Sequence, residues 1–214
     1  MTPDPDVPRK VPMFPLGTVL FPGSVLPLHV FEERYQELTN YCLQNATQFG
    51  IVLIEKGHEV GGGEVRASVG CMAEIIQHQR FPDGRSNLVV LGTSKINVEQ
   101  WTPDDPYPTA LVAEVVESSS GSSLDRALEV LQRLCAFIQA AESGGYRLQP
   151  IDGKAVAVGI GAEELTYRIA DLTPFGPFDR QRVLTAPGSE ERLDLIEEQL
   201  QGLEEILAAE RGKP

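Results

Sequence analysis

The sequence has 214 residues, 42% of them hydrophobic, which is enough to bury the core of one large or two small domains and too apolar for disorder as the main state. Its 18 Lys and Arg against 31 Asp and Glu give a formal charge of -13, which disfavours a broad electrostatic footprint for nucleic acid or anionic lipid while leaving a small basic patch open. Three cysteines, Cys42, Cys71 and Cys135, with no short spacing, suggest neither a disulfide framework nor a CxxC metal site and point to a reducing, cytoplasmic setting.

In chain order, the uncharged stretch 11–31 is the one that could pass for a membrane or signal segment. Pro12, Pro15, Pro22 and Pro27, with Gly17 and Gly23, would break a spanning helix, so no membrane segment is expected. Short β-branched runs bounded by turn residues then predict strands at 25–30, 49–55, 65–79, 86–101 and 109–116, most of them antiparallel. Phe31, Tyr35, Leu38 and Cys42 recur at steps of four, three and four and predict one helix over 31–44. Gly61-Gly62-Gly63 reads as a loop. Phe81-Pro82-Asp83-Gly84-Arg85 reads as the turn of a long hairpin joining 71–79 to 88–98.

Beyond Ser118 the apolar spacing turns helical. SSSGSS at 118–123 is a linker by composition, with Ser123 as N-cap, which divides the chain into a β part, 1–117, and a helical part, 118–214. The first helix runs over 124–142 with an apolar face of Leu124, Leu128, Leu131, Leu134, Cys135 and Ile138, and Gly144-Gly145 stops it. A second covers 162–172 before Pro174, and a short turn of helix spans 179–184. Pro187-Gly188-Ser189 starts the last helix, whose Leu193, Ile196, Leu200, Leu203 and Leu207 form a two-heptad seam. The seam reads as packing onto its own domain, with homodimerisation through this helix left open beside a monomer. The eight acids between Glu190 and Arg211 read as its solvated face.

The chemistry of the common enzymes is not encoded. Gly153-Lys154 and Gly212-Lys213 lack the Walker A pattern, and Ser94-Lys95, adjacent on a strand, face opposite ways and make no dyad. His29, His58 and His78 have no metal-binding spacing, and Cys71 and His78, seven apart on one strand, fall on opposite faces unless a bulge intervenes. No catalytic residue, cofactor or metal is expected. The two parts carry charges of -7 and -6, so neither is basic; Arg66, Arg80, Arg85 and Lys95 are the cations of the β part that could still cluster.

The opening motif carries more. Met13-Phe14-Pro15-Leu16-Gly17-Thr18-Val19-Leu20-Phe21-Pro22-Gly23, followed by Leu26-Pro27-Leu28-His29-Val30-Phe31-Glu32-Glu33-Arg34-Tyr35, resembles the N-terminal substrate-binding domain of Lon proteases. Val69-Gly70-Cys71-Met72-Ala73-Glu74-Ile75-Ile76, Pro82-Asp83-Gly84-Arg85, Leu88-Val89-Val90-Leu91-Gly92 and the start Glu191-Arg192-Leu193 look like further elements of that family. The resemblance implies an α+β fold, a PUA-like antiparallel β-barrel followed by a small α-helical bundle. It also implies a stand-alone protein without ATPase or peptidase engines. The motif residues themselves read as structural, with Pro15, Pro22 and Gly23 fixing turns, Phe21, Leu28 and Phe31 filling core and Arg34 pairing with a carboxylate.

The function expected on these grounds is a non-catalytic polypeptide-binding module for unfolded or tagged polypeptides, alone or as an adaptor to a separate protease. RNA or nucleotide binding through the barrel is the alternative. Trp101, Tyr107, Phe175 and Phe178, which flank turns rich in Pro and Gly near the junction of the two parts, are the candidate partner-binding residues.

Overall fold

Residues 7–57, 63–117 and 123–211 are described by the computed structural model, and among them run six strands and six helices. The Gly61-Gly62 pair, His58 and the linker 118–122 lie outside the described residues. The chain divides into two units, Met1–Val116 and Glu117–Pro214.

The first unit holds β1 (Arg9–Leu16), β2 (Val25–Val30), α1 (Glu33–Asn45), β3 (Phe49–Lys56), β4 (Val65–Arg80), β5 (Ser86–Thr102) and β6 (Thr109–Glu114). The sheet order is β2-β5-β4-β3-β1-β6, and β6 returns to β5, so five strands close a ring and β2 lies outside it. β5 is long enough for both tasks: Ser86–Leu91 pairs with β2, and Ile96–Thr102 pairs with β6. Register shifts in β4 and β5 bend these strands, as closure requires. All pairings are antiparallel except β1 with β3, where Phe14 faces Ile51 in parallel and β2 with α1 makes the crossover.

β1 is the strand that the sequence reading passes over, because Pro12 and Pro15 read as breakers and Pro15 as a turn residue. The structure seats both inside the strand. Met13 N–H donates to Pro108 O at 2.8 Å, so odd positions face the β6 side and even positions the β3 side. Pro15 therefore faces past the end of β6, whose pairing stops at Pro12, and Pro12 faces β3 before its pairing begins at Met13. Each missing donor falls where no strand could accept it. The Pro22-Gly23 turn forms as expected, with Ser24 N–H bonded to Phe21 O and Gly23 at φ 77.

Alternation along the ring strands sorts the core into two layers. Val11, Met13, Val52, Met72, Ile96, Val98, Ala110 and Val112 fill the barrel. Their neighbours Phe14, Ile51, Cys71 and Ala73 pack on the opposite face with Val30 and with Tyr35, Leu38 and Cys42 of α1. Phe31 is a correction: it precedes the helix, which starts at Glu33, and is 52% exposed rather than in the core. It continues the outer face of β2 beyond Val25, Pro27 and His29, so the strand period decides its direction, not the helical one.

The second unit holds α2 (Leu124–Ser143), α3 (Gly153–Ala157), α4 (Ala162–Leu172), α5 (Pro177–Thr185) and α6 (Ser189–Arg211). The face of α2 is rotated from the expected one. Ala127, Val130, Leu131, Leu134, Phe137, Ile138 and Ala141 are buried, while Leu124 is exposed and Leu128 and Cys135 are half-buried. Small alanines at the contact let the helices approach closely and displace the leucine-centred face. α3, too short for a period to show, is capped by the Asp152 carboxylate, which accepts from Lys154 and Ala155 N–H.

The seam of α6 is spent within its own unit, where Leu193, Ile196, Leu200 and Leu207 are buried. The acidic stripe is also corrected. Arg126 of α2 pairs with Glu190, Asp194 and Glu197, and Arg133 with Glu204, so half of the eight acids bind α2 rather than only water. Deeper still, Arg192 is fully buried; its guanidinium bonds the Glu117 carboxylate and Thr166 Oγ1 (2.6 Å) and stacks 3.5 Å over the Tyr167 ring. Tyr167 Oη–H donates to the same carboxylate at 2.6 Å. No helix among the described residues is long and apolar enough to cross a membrane.

Candidate functional site

The phase of β2 follows from one hydrogen bond. Gly92 N–H donates to Ser24 O at 2.9 Å, so the even positions Leu26, Leu28 and Val30 bond β5, and the main-chain groups of Val25, Pro27 and His29 point away. Pro27 fits that phase, since its absent N–H faces no partner. Among the described residues no strand pairs with this outer edge.

Along it runs a cleft of about 290 Å³, bordered on the far side by Phe14, Pro15 and Leu16 of β1, where β6 has already ended. Five consecutive residues, Pro27 to Phe31, line the near side. Neighbours on a strand point to opposite faces, so a wall made of all five is the strand's edge. The floor is firm: Tyr35 stacks on Phe14 with ring centroids 4.0 Å apart and lies beneath the Arg34 guanidinium at 4.5 Å. Burial pushes the Tyr35 phenol well above its ordinary range, so it stays neutral. Arg34 Nε–H donates to Glu32 at 3.0 Å, the carboxylate pairing expected of it. At the rim His29 Nδ1–H is held by Asn87 Oδ1 at 2.8 Å, and the His29 ring stacks against exposed Phe31 at 6.1 Å. Glu32, Glu33 and Glu37 against Arg34 leave this end of α1 acidic.

The four aromatic candidates are placed differently from one another. Trp101 is half-buried against the barrel core, its ring covered at 4.5 Å by Arg66, which is itself held by Glu64 and Asp104. Tyr107 is half-buried against the α1-side core, 6.2 Å from Tyr41. Phe175 is half-buried and Phe178 is 62% exposed, both in the helical unit. Of the four, only Phe178 presents most of its ring to solvent. Of the four cations of the barrel named above, Arg66 and Arg85 pair with carboxylates, Lys95 is buried and Arg80 is exposed at the end of β4.

A larger groove, about 680 Å³, lies between α2 and α3 in the helical unit, lined by Leu128, Leu131, Cys135, Ile151 and Val158. Among the described residues no group of His, Cys, Asp and Glu is placed to hold a metal ion.

Two bulges separate Cys71 from His78, yet the pair does not meet. Cys71 is buried, and His78 bonds Ser86 Oγ at 3.2 Å on the exposed part of β4. Burial pushes the Cys42 and Cys71 thiols up to about 12. Both therefore remain protonated at pH 8, and a thiol-disulfide reagent at that pH is expected to modify only half-buried Cys135 in the native protein and all three after denaturation. Counting released chromophore checks this, and rapid labelling of two or three native thiols would contradict it.

Comparison with known proteins supplies the remaining finding. The family of the ATP-dependent protease La (LON) substrate-binding domain matches residues 10–202. The chain is 30% identical over 216 residues to a Lon protease of Roseiflexus castenholzii, covering 97% of this chain and 26% of that protein. It is 28% identical over 190 residues to Lon protease 2 of Herpetosiphon aurantiacus, covering 86% of this chain and 23% of the other. The chain thus spans about a quarter of the length of these curated relatives. Two solved structures share the fold. The Lon N-terminal domain protein from Xanthomonas campestris has a TM-score of 0.65 at 24% identity, over 87% of this chain and 95% of that one. The N-terminal domain of Mycobacterium avium complex Lon protease has a TM-score of 0.69 at 18% identity, over 90% and 98%.

Proposed function

This chain belongs to the Lon substrate-binding domain family, and from that premise we propose that it is a non-catalytic module which binds unfolded or tagged polypeptides in the cytoplasm, as an adaptor beside a separate protease. The observation that carries the reading is the cleft between two open strand edges, β1 at Phe14 to Leu16 and β2 at Pro27 to Phe31, rimmed by an exposed aromatic side chain. A folded protein keeps its main-chain groups occupied, whereas an unfolded chain offers them together with apolar side chains, so such a cleft discriminates by folded state. Phe178 adds a separate exposed apolar contact on the helical unit.

Fluorescence anisotropy tests this with one sequence in two states: labelled lysozyme, native or reduced and carbamidomethylated. Saturable binding of the unfolded form alone, at micromolar protein and physiological salt, is the expected result. Equal binding of both forms, or none of either, would refute the reading.

A further inference from the structure

We propose that the cleft takes its polypeptide as an extended strand added to the outer edge of β2, and that the preferred segment is apolar with basic flanks. The inference rests on the polypeptide-binding reading above and specifies its mode. Three main-chain carbonyls, at Val25, Pro27 and His29, and the two N–H groups of Val25 and His29 face outward without a partner strand among the described residues. A row of this kind is a template for one more strand, which would lie about 4.8 Å away. Pro27 withholds the central donor, so the edge pairs through acceptors there; this weakens pairing with any strand that happens to meet it.

Side-chain alternation gives the specificity. Residues of an added strand that point inward meet Leu16 and Leu28 in the cleft, and those that point outward lie beside the His29 and Phe31 rings. The charges near the cleft set the flanks. Glu33 and Glu37 are exposed in the first turns of α1, and Arg34, the cation beside them, is engaged with Glu32. A segment carrying Lys or Arg outside its apolar centre finds opposite charge there, and an acidic one finds repulsion.

The probe is a labelled decapeptide of two lysines, six alternating valines and threonines, and two lysines. Two further versions are N-methylated at every valine or at every threonine, and a fourth has glutamates for the lysines. On a β-strand the amides of one alternating set share an edge, so only one methylated version blocks pairing with β2. The expected result is a loss of at least tenfold in affinity for one methylated version, with the other close to the parent, since the peptide donors that meet the three outward carbonyls of β2 are removed. The glutamate version is expected to bind several-fold more weakly at low salt, with the difference shrinking as salt rises.

If both methylated versions bind like the parent while unfolded lysozyme still binds, strand addition is wrong and polypeptide binding stands. If neither the parent peptide nor unfolded lysozyme binds, polypeptide binding itself fails. A dimer that the wild type forms in sedimentation and His29→Pro loses would assign the edge to a second copy and overturn the proposal.

Discussion

Replacing Arg192 by leucine is expected to destabilise the helical unit by about 3–5 kcal/mol, the range found when one partner of a buried ion pair is removed. Arg192 is fully buried, and its guanidinium joins three segments: Glu117 at the start of the unit, Thr166 and Tyr167 on α4, and its own helix α6. The truncation leaves the Glu117 carboxylate, itself nearly inaccessible, without its cation. Burial of an unpaired carboxylate costs far more than the lost contact contributes. Urea unfolding followed by circular dichroism at 222 nm, to which the five helices of this unit contribute most, checks the loss. The double variant Glu117→Gln with Arg192→Met removes both charges and keeps an acceptor for the Tyr167 hydroxyl, so it is expected to recover most of the stability. Equal destabilisation by the single and double variants would mean that Arg192 acts through packing instead.

Gly92→Ala is expected to be among the most damaging small changes in the barrel, at about 3 kcal/mol. A methyl group there would stand 2.2 Å from Phe21 O and 3.1 Å from Cys71 Sγ, and the first of these is backbone that cannot rotate away. The position also pins the Phe21–Ser24 turn to β5, with Gly23 N–H donating to Gly92 O and Gly92 N–H to Ser24 O, both at 2.9 Å. Any adjustment therefore moves the start of β2. Trp101, the single tryptophan, lies on the barrel and reports its unfolding by fluorescence. Gly202→Ala serves as the opposite control: it lies inside α6 with nothing within 4 Å, and alanine there is expected to stabilise by about 0.5–1 kcal/mol through helix propensity. A Gly92→Ala barrel with wild-type stability would show that the turn yields.

The elements legible in the sequence are those in which local chemistry and burial agree. The hairpin of β4 and β5 turns at Gly84, φ 89, where Pro82-Asp83-Gly84 announces it, and α4 occupies the expected residues. β1 was hidden because proline is scored by what it breaks, whereas its cost depends on which side its missing donor faces. Arg192 was hidden because a charged residue next to Glu191 reads as surface. The signal that could have exposed it is its step of four to Ile196 and again to Leu200, both buried, which places it on the inner face of α6. The cleft combines both difficulties. Its residues are the family motif, which reads as structural; yet Pro15 and Pro27 mark two open edges, and Phe31 points outward because β2 sets its direction. Trp101 shows the converse: a large aromatic residue beside a turn rich in proline is covered by its own barrel's Arg66.

Amide hydrogen exchange of the whole protein, with and without saturating unfolded lysozyme, tests the central claim most directly. Slowed exchange concentrated at Val25 and His29, with little change elsewhere in the barrel, is the predicted result, because the outward N–H groups of β2 acquire partners only when a chain is bound. Bound lysozyme with unchanged exchange at these amides, or with protection confined to the helical unit, would contradict the account.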